Sequence, residues 1–398
     1  FLCWVGRSLK KRVVGSAFVV FEGWKAMTKD WARFSFLGVV GSFAVTSGLL
    51  VRDQPRTRAD EPVEWCQTQV QWAAKVGNQG AVAATGCPKQ GTCDTPFVRD
   101  SFIPSQSTPI VHIRIKFHLF CDGSNCASLE SGVPVQMTQL NADFAPYRIQ
   151  FAAETEYITN SPYHAFSADS DEVGMKSTYA DDPAHQINVY VVNVVSGSVG
   201  RGTYAWDLNA LDTMGGIFID DALFGNDDTV ANTGKKTLTH ECGHNLGLWH
   251  THYGVSEVGQ CSACYERADG VDGDITGDFV SDTRPTRASF ECNNAPGTDP
   301  CSDPPTTLWA PTPWHNYMGY AQPDSCRTQF TSQQAGRMHC WIHHVLTGWI
   351  VCTTNGECDD RNGCTEDLCV QGVCHNNCIG SCTPPCSANT DCDDADEC

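Results

Sequence analysis

His240-Glu241-Cys242-Gly243-His244-Asn245-Leu246-Gly247-Leu248-Trp249-His250 is the stretch whose reading decides the fold. His240 and His244 are four residues apart, so on a helix turning about 100° per residue their imidazoles lie on one face and can grip one ion. Glu241 lies beside them without joining the metal. A carboxylate there can take a proton from a metal-activated water and hand it to a leaving group. His250 comes six positions after His244, where a continued helix would carry it about 240° round and away from the ion. The helix must therefore end first. Gly247 is where it can end, because glycine adopts the left-handed conformation that closes a helix C-terminus. The turned chain then brings His250 back as the third ligand. Three neutral imidazoles leave a fourth position of Zn2+ open for water, the form of a catalytic site.

A bare His-Glu-x-x-His arises by chance, and helical histidines are more often surface or core residues; the extended form is far rarer. Leu238, Cys242 and Leu246 support the helix independently. They recur every four residues on the side away from the two histidines, leaving one face for a core and one for the metal. His252 is the alternative third ligand.

Of the 398 residues, 41% are apolar, which is material for two or three units with a real core. The formal charge of −20 argues against nucleic acid or an anionic membrane as partner, since both need clustered Lys and Arg. Twenty-three cysteines fit an oxidising compartment and disulfides. The count is odd, so at least one is free, metal-bound or paired outside the chain.

Four segments follow. Residues 1–52 read as an upstream extension with a signal or anchor: Lys29 and Arg33 precede an uncharged apolar run, Phe34 to Val51, and Met27 is a plausible start. Uncleaved, that run would be near the lower length limit for a membrane span. Residues 53–104 read as a linker and possible prosegment. Cys87 and Cys93 within it leave two readings open: a thiolate caps the metal and holds the protein latent, or the pair forms a simple disulfide, with each other or with Cys66.

Residues 105–350 hold the catalytic unit. Ile110 to Phe120 alternates apolar and polar residues as a half-buried strand does, and Ile187 to Val195 is a β-branched run expected in a strand covered on both faces. Between them a helix is expected over Val135 to Ala145 and a strand over Tyr147 to Ala152. Gly215 to Asp220 reads as a short edge strand. Thr251 to Trp314 is irregular, and within it Asp278, Val280 and Thr283 offer oxygens suited to a hard cation such as Ca2+, the alternative being a solvated loop. Asn316 to Tyr320 makes a tight turn, and Phe330 to Trp349 an amphipathic helix. Residues 351–398 form a Cys-rich disulfide tail: Cys352, Cys358 and Cys364 are spaced as Cys386, Cys392 and Cys398 are, and the second copy breaks off as a truncated chain would.

With these motifs in order, the chain resembles the pappalysin family of metzincin zinc proteases, ulilysin-like bacterial enzymes among them, from Thr108 to Trp349. The resemblance implies an α+β fold: a five-stranded mixed sheet and the zinc helix in an upper subdomain, an irregular disulfide-bonded lower one, and a substrate cleft between. It implies a secreted zinc endopeptidase acting on proteins or peptides, with Met318 beneath the metal and Tyr320 beside it to steady an oxyanion. Asp324 would wall the pocket for the side chain after the cut bond and favour Arg over Lys there. Cys292 with Cys326, and Cys301 with Cys261 or Cys264, look like the family's disulfides. Arg284, between Thr283 and Pro285, departs from the family's pattern at the ion segment. The competing expectation is a calcium-binding or adhesion surface protein on a protease scaffold that no longer cuts, against which the intact Glu241 weighs.

Overall fold

Val111, Ile113, Ile115, Phe117, Leu119 and Cys121 project to one side of strand β1 (Val111–Cys121) and are all buried in the main core. The computed structural model to which they belong describes residues 87–225, 235–270, 272–361, 363 and 365–379. Met27, Phe34 to Val51, Cys66, Cys364 and the Cys386 to Cys398 repeat lie outside the described residues. The polar side of β1 is less open than its sequence suggests. His118 is fully buried there, 2.7 Å from Asn188 Oδ1 and 3.2 Å from Glu156 Oε2, and stacks on Tyr190.

Helix α2 (Cys126–Phe144) follows β1 and leads to β2 (Ile149–Thr159), which pairs with β1 in parallel as a helical crossover requires. The helix begins nine residues before the expected Val135. Pro134 lies inside it, and the Cys121–Cys126 disulfide fixes its first residue to the end of β1. Next come the short β3 (Ala165–Ser167), helix α3 (Glu172–Tyr179), β4 (Ile187–Ser196), β5 (Gly200–Gly202) and β6 (Ile217–Asp220). The sheet order is β2-β1-β4-β6-β5, with β3 added beside β4 to make six strands. Only β5 runs antiparallel to its neighbour. The path is the expected five-stranded mixed sheet, but its edge is not β6. That strand lies between β4 and β5, and the three-residue β5 is the edge.

Two faces are thus covered. The main core lies on the side of α2 and the metal helix, and a second cluster of Phe120, Phe166, Met175, Tyr190, Val192 and Phe218 fills the other. A buried pair of cations on one carboxylate ties the edge down: Glu172 on α3 receives Lys176 at 2.8 Å and Arg201 of β5 at 2.6 Å. Burial would raise the Glu172 carboxyl, but the two cations outweigh it and hold it below its ordinary value.

Residues 87–104, expected as linker or prosegment, are bound into this body. Cys87 is bonded to Cys264 and Cys93 to Cys340, so neither pairs with the other and neither has a thiolate to cap a metal. The short helix α1 (Pro96–Ser101) carries Arg99, which donates to the Phe279 carbonyl at 2.5 Å and pairs with Asp274 at 2.8 Å. The lower region after the metal helix has little regular structure and is stapled by Cys261–Cys301 and Cys292–Cys326. Cys264, expected as a possible partner of Cys301, is taken by Cys87. Beyond helix α5 (Ser332–His344), strands β7 (Thr365–Val370) and β8 (Val373–Cys378) form a hairpin held by Cys352–Cys369 and Cys358–Cys374. Its first cysteines are part of the main core. No helix among the described residues is long and apolar enough to cross a membrane.

Candidate active site

Helix α4 (Lys235–Asn245) carries His240, Glu241 and His244. It stops where the sequence places the stop. Gly247 has φ +92°, its N–H donates to the His244 carbonyl at 2.9 Å, and the Leu248 N–H reaches back to the Gly243 carbonyl at 2.9 Å, the paired bonds of a Schellman motif. His250 returns from this turn. The three Nε2 atoms are 3.2 Å (His240–His244), 3.1 Å (His244–His250) and 3.2 Å (His240–His250) apart.

These contacts are not hydrogen bonds, as the far side of each ring shows. His240 Nδ1 is 2.7 Å from the Tyr317 carbonyl, His244 Nδ1 is 2.8 Å from the Leu248 carbonyl, and His250 Nδ1 is 2.6 Å from Glu257 Oε1. Each outer nitrogen faces an acceptor and so carries the proton, leaving three bare Nε2 lone pairs aimed at one point. Lone pairs repel, and only a shared cation makes the arrangement sensible. A tetrahedral zinc with nitrogens at about 2.0–2.1 Å sets its ligands about 3.3 Å apart, so the donor set fits that ion. Burial, and then the neighbouring imidazoles, hold His240 and His244 well below their ordinary pKa, which keeps them neutral and ready to ligate.

The surroundings explain several sequence choices. Met318 lies under α4, where a Cβ on Gly243 would collide with its sulfur. Its turn is built by Asn316, whose side chain accepts from the Met318 N–H at 2.9 Å and exchanges hydrogen bonds with Gln334. Gly200 and Gly202 of β5 back Glu241: a Cβ on Gly202 would come within 2.6 Å of the Glu241 main-chain carbonyl, so the edge strand needs glycine there for the helix to approach it. The Tyr320 hydroxyl is 3.2 Å from His250 Nε2, on the side of the triad's focus. His252 does not join the triad. It stacks on His250 at 4.8 Å, and its Nε2 lies 3.0 Å from the same Glu257 oxygen. Burial would raise the Glu257 carboxyl, but His250 and His252 outweigh it and hold it low.

Two expected sites have partners of their own. Asp324 is not an open acidic wall. One carboxylate oxygen accepts from the Lys236 N–H at 2.9 Å in the first turn of α4, and the other pairs with Arg327. At the ion segment, Asp278 accepts from the Val280 N–H at 3.2 Å and from the Thr283 hydroxyl at 2.6 Å, so these three residues bond one another. Glu266, which sequence reasoning missed, is buried close by. Burial, with Asp278 and Asp274, pushes it well above the carboxylate range, and burial pushes Asp278 up to about 7. Glu257 was also missed, since nothing in the spacing marks a carboxylate that reaches His250 through an irregular turn. Cys242 is the one free cysteine among the described residues and is buried in the core.

A helix presenting three converging imidazoles and one glutamate beside the edge of a mixed sheet, with a methionine turn beneath, defines a metzincin-type metal centre. The family model described as "Pregnancy-associated plasma protein-A", Peptidase M43, matches residues 171–343. An extracellular metalloprotease of Verticillium alfalfae is 30% identical over 319 residues, covering 77% of this chain and 96% of the fungal protein. Human Pappalysin-1 is 32% identical over 199 residues, 49% of this chain but only 11% of Pappalysin-1. Among solved structures, Tannerella forsythia mature mirolysin in complex with a cleaved peptide is 22% identical, covers 60% of this chain and 93% of its own, and has a TM-score of 0.43. The chain belongs to the pappalysin family of metalloproteases.

Proposed function

We propose that the chain is a secreted zinc endopeptidase that hydrolyses protein or peptide substrates. The observation that carries this reading is the convergence of three proton-free imidazole nitrogens beside Glu241. His240, His244 and His250 hold the ion as neutral ligands. When bound, Zn2+ supplies a Lewis acid that polarises a peptide carbonyl and lowers the pKa of water. Glu241, held against the β5 backbone, takes the proton from the attacking water and delivers it to the leaving amine. The Tyr320 hydroxyl donates to the oxyanion as it forms. Disulfides throughout the described residues, and relatives named as extracellular metalloproteases, support an extracellular site of action.

Calcium at Asp278, Val280 and Thr283 is a second, separable part of this reading. Its support is the burial of two neighbouring carboxylates, Glu266 and Asp278, whose negative charge a bound cation would offset. A rise in melting temperature on adding calcium to the zinc-loaded protein is expected if the cation is shared.

The test of the activity is casein digestion before chelation, after it, and after zinc is restored. Hydrolysis should disappear with the chelator and return with zinc. Hydrolysis indifferent to chelation, or none from zinc-loaded protein, would overturn the assignment.

A further inference from the structure

Phe290 is a large aromatic side chain left 48% exposed at the rim of the metal centre. Its ring stacks on that of Tyr320, with centroids 5.6 Å apart and planes 20° from parallel, an offset arrangement that aromatic pairs favour. Tyr320 in turn meets the metal-binding imidazoles. Its ring stands T-shaped to His250 at 4.9 Å and to His252 at 4.6 Å, and its hydroxyl is 3.2 Å from His250 Nε2. The main chain fixes where Phe290 stands. Its carbonyl accepts from the Gln322 N–H at 2.9 Å, Glu291 pairs with Gln322 in a parallel bridge, and Cys292 is bonded to Cys326. Residues 290–292 are thus tied to the chain that follows Tyr320, and none of these ties uses the Phe290 ring. A tyrosine side chain turns about two torsions that its own main chain leaves free, so the rings packed on it decide where the hydroxyl sits.

We propose that Phe290 is a positioning residue for peptide hydrolysis: its ring, stacked on Tyr320, holds that side chain toward the imidazoles so that the hydroxyl is in place when the oxyanion forms. The proposal rests on the endopeptidase reading above. A donor fixed before charge develops stabilises the transition state more than one that must first be brought into line. Removing the Phe290 ring opens the Tyr320 ring to solvent and lets it turn away. Because the whole effect passes through Tyr320, it vanishes where the hydroxyl is missing.

The test measures kcat and KM of the zinc-loaded full chain on a quenched fluorescent peptide built around one of its casein cleavage sites. Phe290→Ala should lower kcat by about 2–10-fold, the factor an aromatic pair is worth, with KM unchanged. Phe290→Trp, which keeps a stacking face, should restore the parent rate. In a Tyr320→Phe background, Phe290→Ala should change nothing further, since residues that act as one unit are not additive. Nitration by tetranitromethane gives a readout apart from activity: on zinc-free protein, Tyr320 should be modified faster in Phe290→Ala and at the parent's rate in Phe290→Trp. Should Phe290→Ala lower the urea midpoint, Phe290→Leu, which keeps bulk and loses the stack, takes its place. Parent-like kcat or parent-like nitration in the ring-deleted variant, or a loss of kcat that persists undiminished without the Tyr320 hydroxyl, would overturn the proposal. A zinc-loaded parent that cuts no peptide at all ends the endopeptidase reading and this proposal with it, whereas a parent that cuts no faster than Phe290→Ala ends this proposal alone.

Discussion

Three backbone or carboxylate oxygens decide the protonation of the metal centre, one behind each imidazole. Two are main-chain carbonyls that no substitution removes. The third is the Glu257 carboxylate, 2.6 Å from His250 Nδ1 and 3.0 Å from His252 Nε2. It fixes the tautomer and ring angle of the ligand that comes from outside the helix, the least constrained of the three. Glu257→Ala should therefore weaken zinc binding by about 10–100-fold, measured by competition with a chromophoric chelator. Unchanged affinity would show that the turn after Gly247 positions His250 unaided. Glu241→Gln makes the contrasting case. It removes the proposed base and none of the three imidazoles, so zinc content should match the parent while the hydrolysis rate drops by at least about 10²-fold. At this scale the convergence of the three imidazoles was legible because helical spacing and a stopping glycine are local facts. Glu257 and Glu266 were not. Each acts through a partner that irregular chain brings near, and no period in the sequence marks such a meeting.

Among the elements, the stop of the metal helix was readable, and the sheet edge was not. Gly200-Arg201-Gly202 has no alternation of apolar residues, so nothing in it reads as a strand. Its glycines answer to the approach of α4, and its arginine to the buried carboxylate of Glu172. β6, with Ile217, Phe218 and Ile219 all buried, reads as a strand because it is interior. The start of α2 was hidden by Pro134, which reads as a boundary and is in fact inside the helix. The stop itself is open to test. Gly247→Ala places a Cβ at φ +92°, in a space filled by the Trp341 ring. Left-handed strain costs about 1–2 kcal/mol and forced repacking about 1–3 kcal/mol. Urea unfolding should show a loss of that combined order, accompanied by lower zinc retention because His250 is carried on the displaced turn. A variant as stable as the parent would mean that the turn has an alternative geometry at no cost.

Across the whole molecule, the segment before β1 is a structural brace, and the sequence could not say so. Its cysteines find partners 177 and 247 residues away, and neither separation is legible in one chain. The brace reaches the metal site through one side chain. Arg337 of α5 is fully buried and pairs with Asp94, also buried, while its Nε donates to the Gly247 carbonyl at 2.5 Å. Its guanidinium lies over Trp206 at 5.3 Å and Phe279 at 5.7 Å, so the cation is enclosed as well as paired. Asp94 thus steadies the arginine that holds the closing turn of the metal helix. Taking away one partner of a buried ion pair leaves the other charge uncompensated, which costs about 3–5 kcal/mol where it has been measured. Asp94→Ala should lose stability of that order in urea, and its zinc should exchange with a chelator faster than the parent's. The same variant separates the brace from a latency device. A segment that covers the site would, when loosened, give higher activity at unchanged stability; a brace gives lower stability and no gain. A more active and equally stable Asp94→Ala protein would return residues 87–104 to the role of a removable cover.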